Sequence, residues 1–222
     1  MPLWAILVLI TCVYACSIYV NLSFAVRNSA DYRFFPPFQR HVNANYNDDL
    51  AAENFNIAKS LVAGKGFAHP FPEPSGPTAW MGPALPGIEA GLLRLCAGKR
   101  EAVSAAVVFL QINVLMGTGL LVLALILKTT RRIGVGLALA AFFVGLLHHF
   151  SLCFQLTQDC WLVLLAVDLV IAGLCCWRPL GSRTTAVAWG LVGGFCTLVN
   201  PIVGFTWAVL SLLVGLRRGL RS

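Results

Sequence analysis

Residues 102–127, AVSAAVVFLQINVLMGTGLLVLALIL, run without a charged side chain over a length that carries a helix across a bilayer. Comparable apolar blocks cover residues 3–26, 133–150, 160–177 and 186–216. The whole chain is 58% hydrophobic and only 11% charged, whereas soluble domains carry about a quarter charged residues. Block length and composition together predict an all-α polytopic membrane protein.

The last apolar block, residues 186–216, is too long for one untilted crossing and contains Asn200-Pro201. Proline cannot continue the helical hydrogen-bond ladder, and it disfavours helical backbone in the residue before it. We therefore expect two helices that turn at Asn200-Pro201, which gives about six transmembrane helices. The alternative is one kinked helix and five crossings.

The net charge of +7 is concentrated in clusters at the ends of apolar blocks, at residues 128–132, 178–183 and 217–221. With six crossings all three clusters fall on one side, which the positive-inside rule makes cytoplasmic. No basic helix with interleaved aromatic residues is present, so a nucleic-acid partner is excluded. The expected location is the cytoplasmic (inner) membrane, with the first loop outside and membrane lipids as partners.

Three regions follow from this pattern. Residues 1–26 form the first transmembrane helix, an uncleaved signal anchor, because no small-residue cleavage site follows it. Residues 27–101 form a large extracytoplasmic loop with juxtamembrane helices, and its aromatic residues favour order. Residues 102–222 form the transmembrane helix bundle.

Within the loop, residues 45–64 predict an amphipathic juxtamembrane helix lying along the bilayer. Asp48 or Asp49 suits its N-terminus, and Gly64 suits a left-handed residue that closes it. The apolar stripe is predicted at Leu50, Ile57, Ala58 and Leu61, and the polar face at Asp49, Glu53, Asn56 and Ser60. These carboxylates are either caps and solvated charges or a row that meets a lipid-borne substrate, and spacing alone does not choose among them.

Residues 65–87 carry six prolines, which predict a turn-rich segment rather than a regular helix. His69 is a candidate for acid–base chemistry, although a lone histidine is more often a hydrogen-bonded loop residue. Trp80 is a candidate for packing under a sugar ring, and an interfacial belt position explains it equally well.

Two runs in this loop, ENFNIAKSLVAGKGFAHPF at residues 53–71 and GPTAWMGPALP at residues 76–86, resemble the first outer loop of bacterial GT-C glycosyltransferases. That family is similar to the protein mannosyltransferases and the aminoarabinose lipid A transferases. The resemblance implies transfer of a sugar from a polyprenyl-phosphate carrier to an acceptor on the outer membrane face. It also implies an acidic general base, for which Asp49, Glu53 and Asp48 are the matching candidates.

The resemblance implies further roles. Asp159, in the run QLTQDC, matches a second acidic position, and the basic residues Lys59, Lys65 and Arg40 are candidates to neutralise the carrier phosphate. A divalent cation at Asp48-Asp49 is left open. The chain departs from the family pattern at residues 83–86, PALP, where a tyrosine is usual. Family members are also commonly longer, which implies a short or truncated member.

Polar residues inside the apolar blocks allow other interpretations. Asp168 lies near the middle of residues 160–177 and is either a functional group or a hydrogen-bonding link between helices. His148 and His149 are expected at the outer interface near Asp159, a spacing that matches no recognised metal site. Two interpretations other than a transferase stay open: a non-enzymatic membrane subunit or inactive remnant, and less favourably a transporter.

Overall fold

The computed structural model describes residues 3–27, 52–71, 73–79, 81–149, 159–177 and 180–219. Its regular structure is helical, and the described residues hold no strand beyond an isolated bridge between Ala68 and Pro77. The helices are α1 Leu3–Arg27, α2 Ala52–Val62, α3 Ala84–Leu95, α4 Arg100–Thr130, α5 Ile133–His149, α6 Cys160–Ala172, α7 Arg183–Val199 and α8 Pro201–Gly219. The prediction of an all-α chain is thus confirmed.

One described helix, α4, is long and apolar enough to cross a membrane, and its most apolar window has a mean hydropathy of 2.2. Only 28% of that window is buried inside the protein. Shorter apolar stretches occur in five other helices: Trp4–Tyr19, Ile133–Phe142, Cys160–Cys175, Arg183–Val199 and Pro201–Arg217. By length and composition, one described helix thus qualifies as a membrane span, and the arrangement of about six crossings stays a prediction.

Helix α4 is the centre of the packing. It contacts α1, α3, α5 and α6, while α7 and α8 pack on α6. Its N-terminal half supplies Val103, Val107, Val108 and Ile112, each with no exposed surface, to the larger of two hydrophobic clusters. The smaller cluster joins α6 to α7 through side chains that include Trp189. The other helices therefore pack on α4 directly, or through α6 for α7 and α8 and through α3 for α2.

The turn at Asn200-Pro201 is confirmed. Helix α7 ends at Val199, Asn200 is extended (φ −156°, ψ 123°), and α8 begins at Pro201. The backbone N–H of Ile202 donates to Asn200 Oδ1 at 2.9 Å, so the asparagine caps α8. Proline at the first helical position costs the helix no hydrogen bond, because a backbone N–H at this position has no partner within the helix.

The expectation that prolines exclude a helix from residues 65–87 is wrong at its end, since α3 begins at Ala84. Pro83 precedes the helix and Pro86 lies in its first turn, where a missing N–H removes no bond of the helical ladder. The sequence rule holds for helix interiors and does not extend to the first turn.

Polar residues inside the apolar helices link neighbouring helices. The Tyr14 hydroxyl on α1 donates to Asn113 Oδ1 on α4 at 2.8 Å. The Thr118 hydroxyl on α4 contacts the carboxyl of Asp168 on α6. Lys128 Nζ, near the C-terminal end of α4, donates to the backbone carbonyl of Cys175 at 2.7 Å. Cys175 lies in the π-helical turn Gly173–Trp177 that continues α6, so this bond places the basic end of α4 beside the residues that precede the second basic cluster.

Gly193 marks a close approach of α7 and α8, whereas its neighbour Gly194 does not. A Cβ at Gly193 would lie 2.5 Å from the Trp207 ring on α8, whereas a Cβ at Gly194 would meet nothing within 4 Å. The bulk of Trp207 therefore requires a glycine at position 193 and leaves position 194 free.

We expect Gly193→Ala to lower the free energy of unfolding by about 1–3 kcal/mol, because the added methyl overpacks the contact with Trp207. Gly194→Ala is the matched control and should be neutral or stabilising by up to about 1 kcal/mol, through helix propensity alone. Thermal unfolding of the two purified variants checks this pair. Equal melting temperatures would show that α7 and α8 do not pack through Gly193.

Candidate functional site

Helix α2 ends in a hydrogen-bonded reversal that turns the chain toward the following loop. The Lys65 N–H donates to the Ser60 carbonyl at 2.9 Å, and the Gly64 N–H donates to the Leu61 carbonyl at 3.2 Å. Gly64 has φ 74°, which confirms the predicted left-handed residue. This paired arrangement is a Schellman motif, which satisfies carbonyls that the end of the helix leaves open.

Helix α3 ends in the same way. The Gly98 N–H donates to the Leu93 carbonyl at 2.8 Å, and Ala97 occupies the left-handed position with φ 50°. The reversal leads directly into α4, whose N-cap Lys99 forms no side-chain cap. Consequently the last turns of α2 and α3 and the first turn of α4 lie together.

A pocket of about 520 Å³ opens where these three helix ends meet. Its basic side chains are Lys59 of α2, Arg94 of α3 and Arg100 of α4, and we call it the cationic pocket. The buried ring of Phe55 supports two of these cations: Lys59 Nζ lies 5.1 Å and Arg100 Cζ 5.7 Å from its centroid. Three cations around one cavity are suited to an anionic ligand.

The charge state of Lys59 reflects this surrounding. Partial burial of its ammonium group and the neighbouring positive charge of Arg100 both lower the pKa of Lys59. An anion bound in the cationic pocket would oppose both effects by favouring the protonated amine. The pocket is also at the N-terminal end of α4, where the helix dipole favours negative charge.

Of the three predicted carboxylates, the structure describes the position of Glu53. Glu53 is half-buried on α2 but does not line the cationic pocket. It precedes Lys59 by six residues, which places the two side chains roughly 120° apart around the helix. Asp48 and Asp49, together with the predicted Arg40 and Trp80, lie outside the described residues. The structure therefore brings Lys59, and not Glu53, to the pocket.

Helix α2 is buried on its predicted apolar stripe and partly buried on its predicted polar face. Ile57 and Ala58 on the apolar stripe have no exposed surface. On the polar face, however, Ser60 is only 7% exposed, and Asn56 Nδ2 donates to the Pro70 carbonyl at 3.1 Å. The loop after α2 thus contacts the polar face at Asn56, and this face is partly buried within the protein.

His69 has a structural role within that loop. Its Nδ1 accepts hydrogen bonds from the backbone N–H groups of Ser75 and Gly76, both at 3.1 Å. The backbone N–H of His69 donates to the Gly76 carbonyl at 2.9 Å. Because Nδ1 accepts two backbone hydrogen bonds, its lone pair is occupied within the loop. The loop interpretation of His69 is supported over acid–base chemistry at this nitrogen.

Two other predicted residues lie apart from the cationic pocket. Lys65 is exposed and follows the end of α2 without lining the pocket. Asp159 is half-buried at the start of α6, where its carbonyl accepts from Leu162 at 2.8 Å and its side chain forms no cap. Among the side chains that the structure describes, no three His, Cys, Asp or Glu residues cluster as a metal site would require. The side chains of His148 and His149 lie outside that set.

Sequence reasoning missed Arg94 and Arg100, because they come together only through the reversal at residues 95–99. It also missed Glu89, which lies on the α3 face shared with Leu85 and Leu93 and has no exposed surface. Neither carboxyl oxygen of Glu89 has a hydrogen-bond partner among the described residues. Burial raises the pKa of Glu89 to about 8. The sequence feature that could have indicated Glu89 is a single charge on an otherwise apolar helical stripe.

Comparison of the chain with protein families, with curated proteins and with solved structures returns no match.

Glu89 makes the stability of the fold depend on pH. A carboxyl whose pKa is raised by folding holds a proton that the unfolded chain releases, so stability is greatest below the ordinary pKa of 4.5 and falls as the pH rises toward 8. The loss at pH 7 is about 3 kcal/mol. Glu89→Gln should remove this slope, so that the variant exceeds the wild type in stability at pH 7 and not at pH 4.

Thermal unfolding across pH 4–8 checks the effect of Glu89→Gln, with Glu101→Gln as the control because Glu101 is exposed. Parallel pH profiles for wild type and Glu89→Gln would show that Glu89 is solvated or paired.

Proposed function

We propose that this chain is a polytopic protein of the cytoplasmic membrane that transfers a sugar from a polyprenyl-phosphate carrier to an acceptor on the outer face. The resemblance of residues 53–71 and 76–86 to GT-C glycosyltransferases supports the class of reaction. The cationic pocket is the observation that carries the proposal, because it adjoins the same loop and fits the phosphate of such a carrier.

Membrane embedding is supported by where the apolar side chains lie. Many large ones are exposed on helices α1, α7 and α8, including Leu191 at 72%, Ile202 at 75% and Phe205 at 71%. An exposed apolar surface of this extent is unfavourable in water and favourable in lipid. The bond from Lys128 to the Cys175 carbonyl supports a common cytoplasmic side for the first two basic clusters. The cationic pocket would then lie at the outer surface.

In the proposed reaction, a loop carboxylate removes the proton from the acceptor hydroxyl as its oxygen attacks the anomeric carbon. The bond between the anomeric carbon and the phosphate oxygen breaks, and the carrier phosphate leaves with that electron pair. Lys59, Arg94 and Arg100 would stabilise the negative charge of the leaving phosphate. Single displacement inverts the anomeric centre. Glu53, Asp48 and Asp49 remain the proposed bases.

A specific observation also favours a second candidate, a non-enzymatic membrane subunit. Leu95, the last residue of α3, is 83% exposed, and Phe71 in the loop is 48% exposed. Both lie in the part of the chain between α1 and α4, where a partner protein could cover them. In this role the cationic pocket would bind an anionic partner or lipid without chemistry.

Binding of a phosphate-headed lipid tests the pocket itself. Lys59→Gln and Arg94→Gln should each weaken binding of a short polyprenyl phosphate by about tenfold, because each removes one charged contact with the phosphate. Lys65→Gln is the matched control, since Lys65 is exposed outside the pocket. Binding can be measured by titration of the purified protein in detergent. Unchanged affinity in both pocket variants would exclude this site for the phosphate.

The same titration at several pH values tests the state of Lys59. Because the pKa of Lys59 is lowered, wild-type affinity should fall as the pH rises through that pKa. Lys59→Arg should remove this decline, because a guanidinium stays protonated. A decline that persists in Lys59→Arg would assign the titration to another group.

Sugar transfer in membranes expressing the chain separates the enzyme from the subunit. A radiolabelled polyprenyl-phosphate sugar pool is supplied to wild type and to Asp48→Asn, Asp49→Asn and Glu53→Gln at matched protein levels. Loss of the general base should reduce the rate by roughly 10²–10⁴-fold in one variant, while Glu73→Gln, an exposed loop carboxylate, should leave it unchanged. Absence of transfer by the wild type would favour the subunit.

A further inference from the structure

A second cavity, of about 390 Å³, lies between α4 and α6, away from the cationic pocket. Leucine and valine side chains form most of its wall, and Asn113, Trp161 and Asp168 are the lining residues that carry polar groups. Gly117 leaves the wall open on the α4 side, since a Cβ there would meet nothing within 4 Å. We call this cavity the α4–α6 groove.

Asn113 does not need a ligand in the α4–α6 groove. Its Oδ1 accepts the Tyr14 hydroxyl at 2.8 Å, and its Nδ2 donates to the Phe109 carbonyl at 2.7 Å. The groups that can meet an occupant are therefore those on α6.

Asp168 offers a hydrogen-bond acceptor to the groove. Its Oδ2 is occupied by the Thr118 hydroxyl, which also lies 3.0 Å from the Val114 carbonyl. That hydroxyl has one hydrogen and two acceptors within reach, so a protonated Asp168 donating to Thr118 completes the chain. A neutral carboxyl also suits an apolar wall. In this arrangement Oδ1 remains as an acceptor without a partner among the described residues.

Trp161 offers a donor nearer the outer end of the groove. Its side chain is 1% exposed, and its indole Nε1 has no acceptor among the residues that the structure describes. A buried N–H without an acceptor is unfavourable, and an oxygen atom of an occupant would satisfy it.

The two groups are separated along one face of α6. Trp161 and Asp168 are seven residues apart, which is two helical turns or about 10 Å. An occupant that satisfies both must carry an acceptor oxygen near the outer end and a hydroxyl about 10 Å deeper, joined by an apolar chain. An acyl chain with a hydroxyl at mid-chain has this pattern, whereas an unsubstituted chain would leave Asp168 unpaired.

We propose that the α4–α6 groove binds an acyl lipid that carries a mid-chain hydroxyl. The hydroxyl donates to Asp168, and the carboxyl or ester oxygen of the same chain accepts from Trp161. The assignment rests on the proposed membrane embedding and is independent of sugar transfer, so either one can fail without the other.

Binding of a radiolabelled mid-chain hydroxy fatty acid to the full chain in phosphatidylcholine nanodiscs tests the assignment. The unsubstituted parent acid should bind about tenfold more weakly, because it lacks the hydrogen bond to Asp168. Asp168→Leu should abolish this preference, whereas Asp168→Asn should keep it, because an amide carbonyl still accepts. Equal binding of the two acids to the wild type would overturn the proposal.

Gly117→Phe tests the groove without touching its polar groups. The phenyl ring should fill the space and block the hydroxy acid, while Gly190→Phe, placed where a Cβ meets nothing within 4 Å on α7, should bind normally. Binding that survives Gly117→Phe would place the ligand elsewhere. A long-chain amine that outcompetes the hydroxy acid, and loses binding in Asp168→Asn, would also overturn the proposal, because it would assign an ionised Asp168 and a cationic ligand.

Discussion

Burial of the N-terminal half of α4 is the packing constraint on which the other elements depend. Val103, Val107 and Ile112 have no exposed surface, and the cluster that they form includes Leu85 and Leu93 of α3. The Schellman reversal between α3 and α4 is what permits this contact, because it folds α3 back beside the helix that follows it. The same reversal brings Arg94 and Arg100 to the wall of one cavity. The packing of α3 on α4 and the geometry of the cationic pocket therefore both depend on this reversal.

Features governed by local stereochemistry could be predicted from the sequence. The turn at Asn200-Pro201 follows from the missing proline N–H, and the left-handed Gly64 follows from helix termination, so neither requires knowledge of the rest of the fold. The buried stripe at Ile57 and Ala58 follows from helical periodicity. The transmembrane arrangement was predicted from block length and charge, and among the described residues one helix, α4, is both long and apolar enough to meet the criterion for a membrane span.

Features that depend on chain reversal could not be predicted. The hydrogen bond from Asn56 to the Pro70 carbonyl lies beside a turn that His69 stabilises through its ring nitrogen, and no periodic pattern encodes these bonds. Likewise, Arg94 and Arg100 are charges at helix ends in the sequence and form a site only when α3 and α4 pack side by side. Of the three cations in the cationic pocket, Lys59 was named in advance through the family resemblance, and its two partners depend on the tertiary structure.

The cationic pocket and the α4–α6 groove share one helix but no lining residue. Arg100 begins α4, and Leu110, the first residue of α4 that lines the groove, lies ten residues later, about 15 Å along the axis. The two cavities are therefore separate, and any coupling along α4 would require this helix to move. Beside the groove, α4 and α6 pack through buried side chains that include Leu115 and Leu162, and the Thr118 hydroxyl contacts Asp168. Because α7 and α8 pack on α6, a ligand that displaced α6 would change their packing. The three cations lie instead on α2, on α3 and at the start of α4.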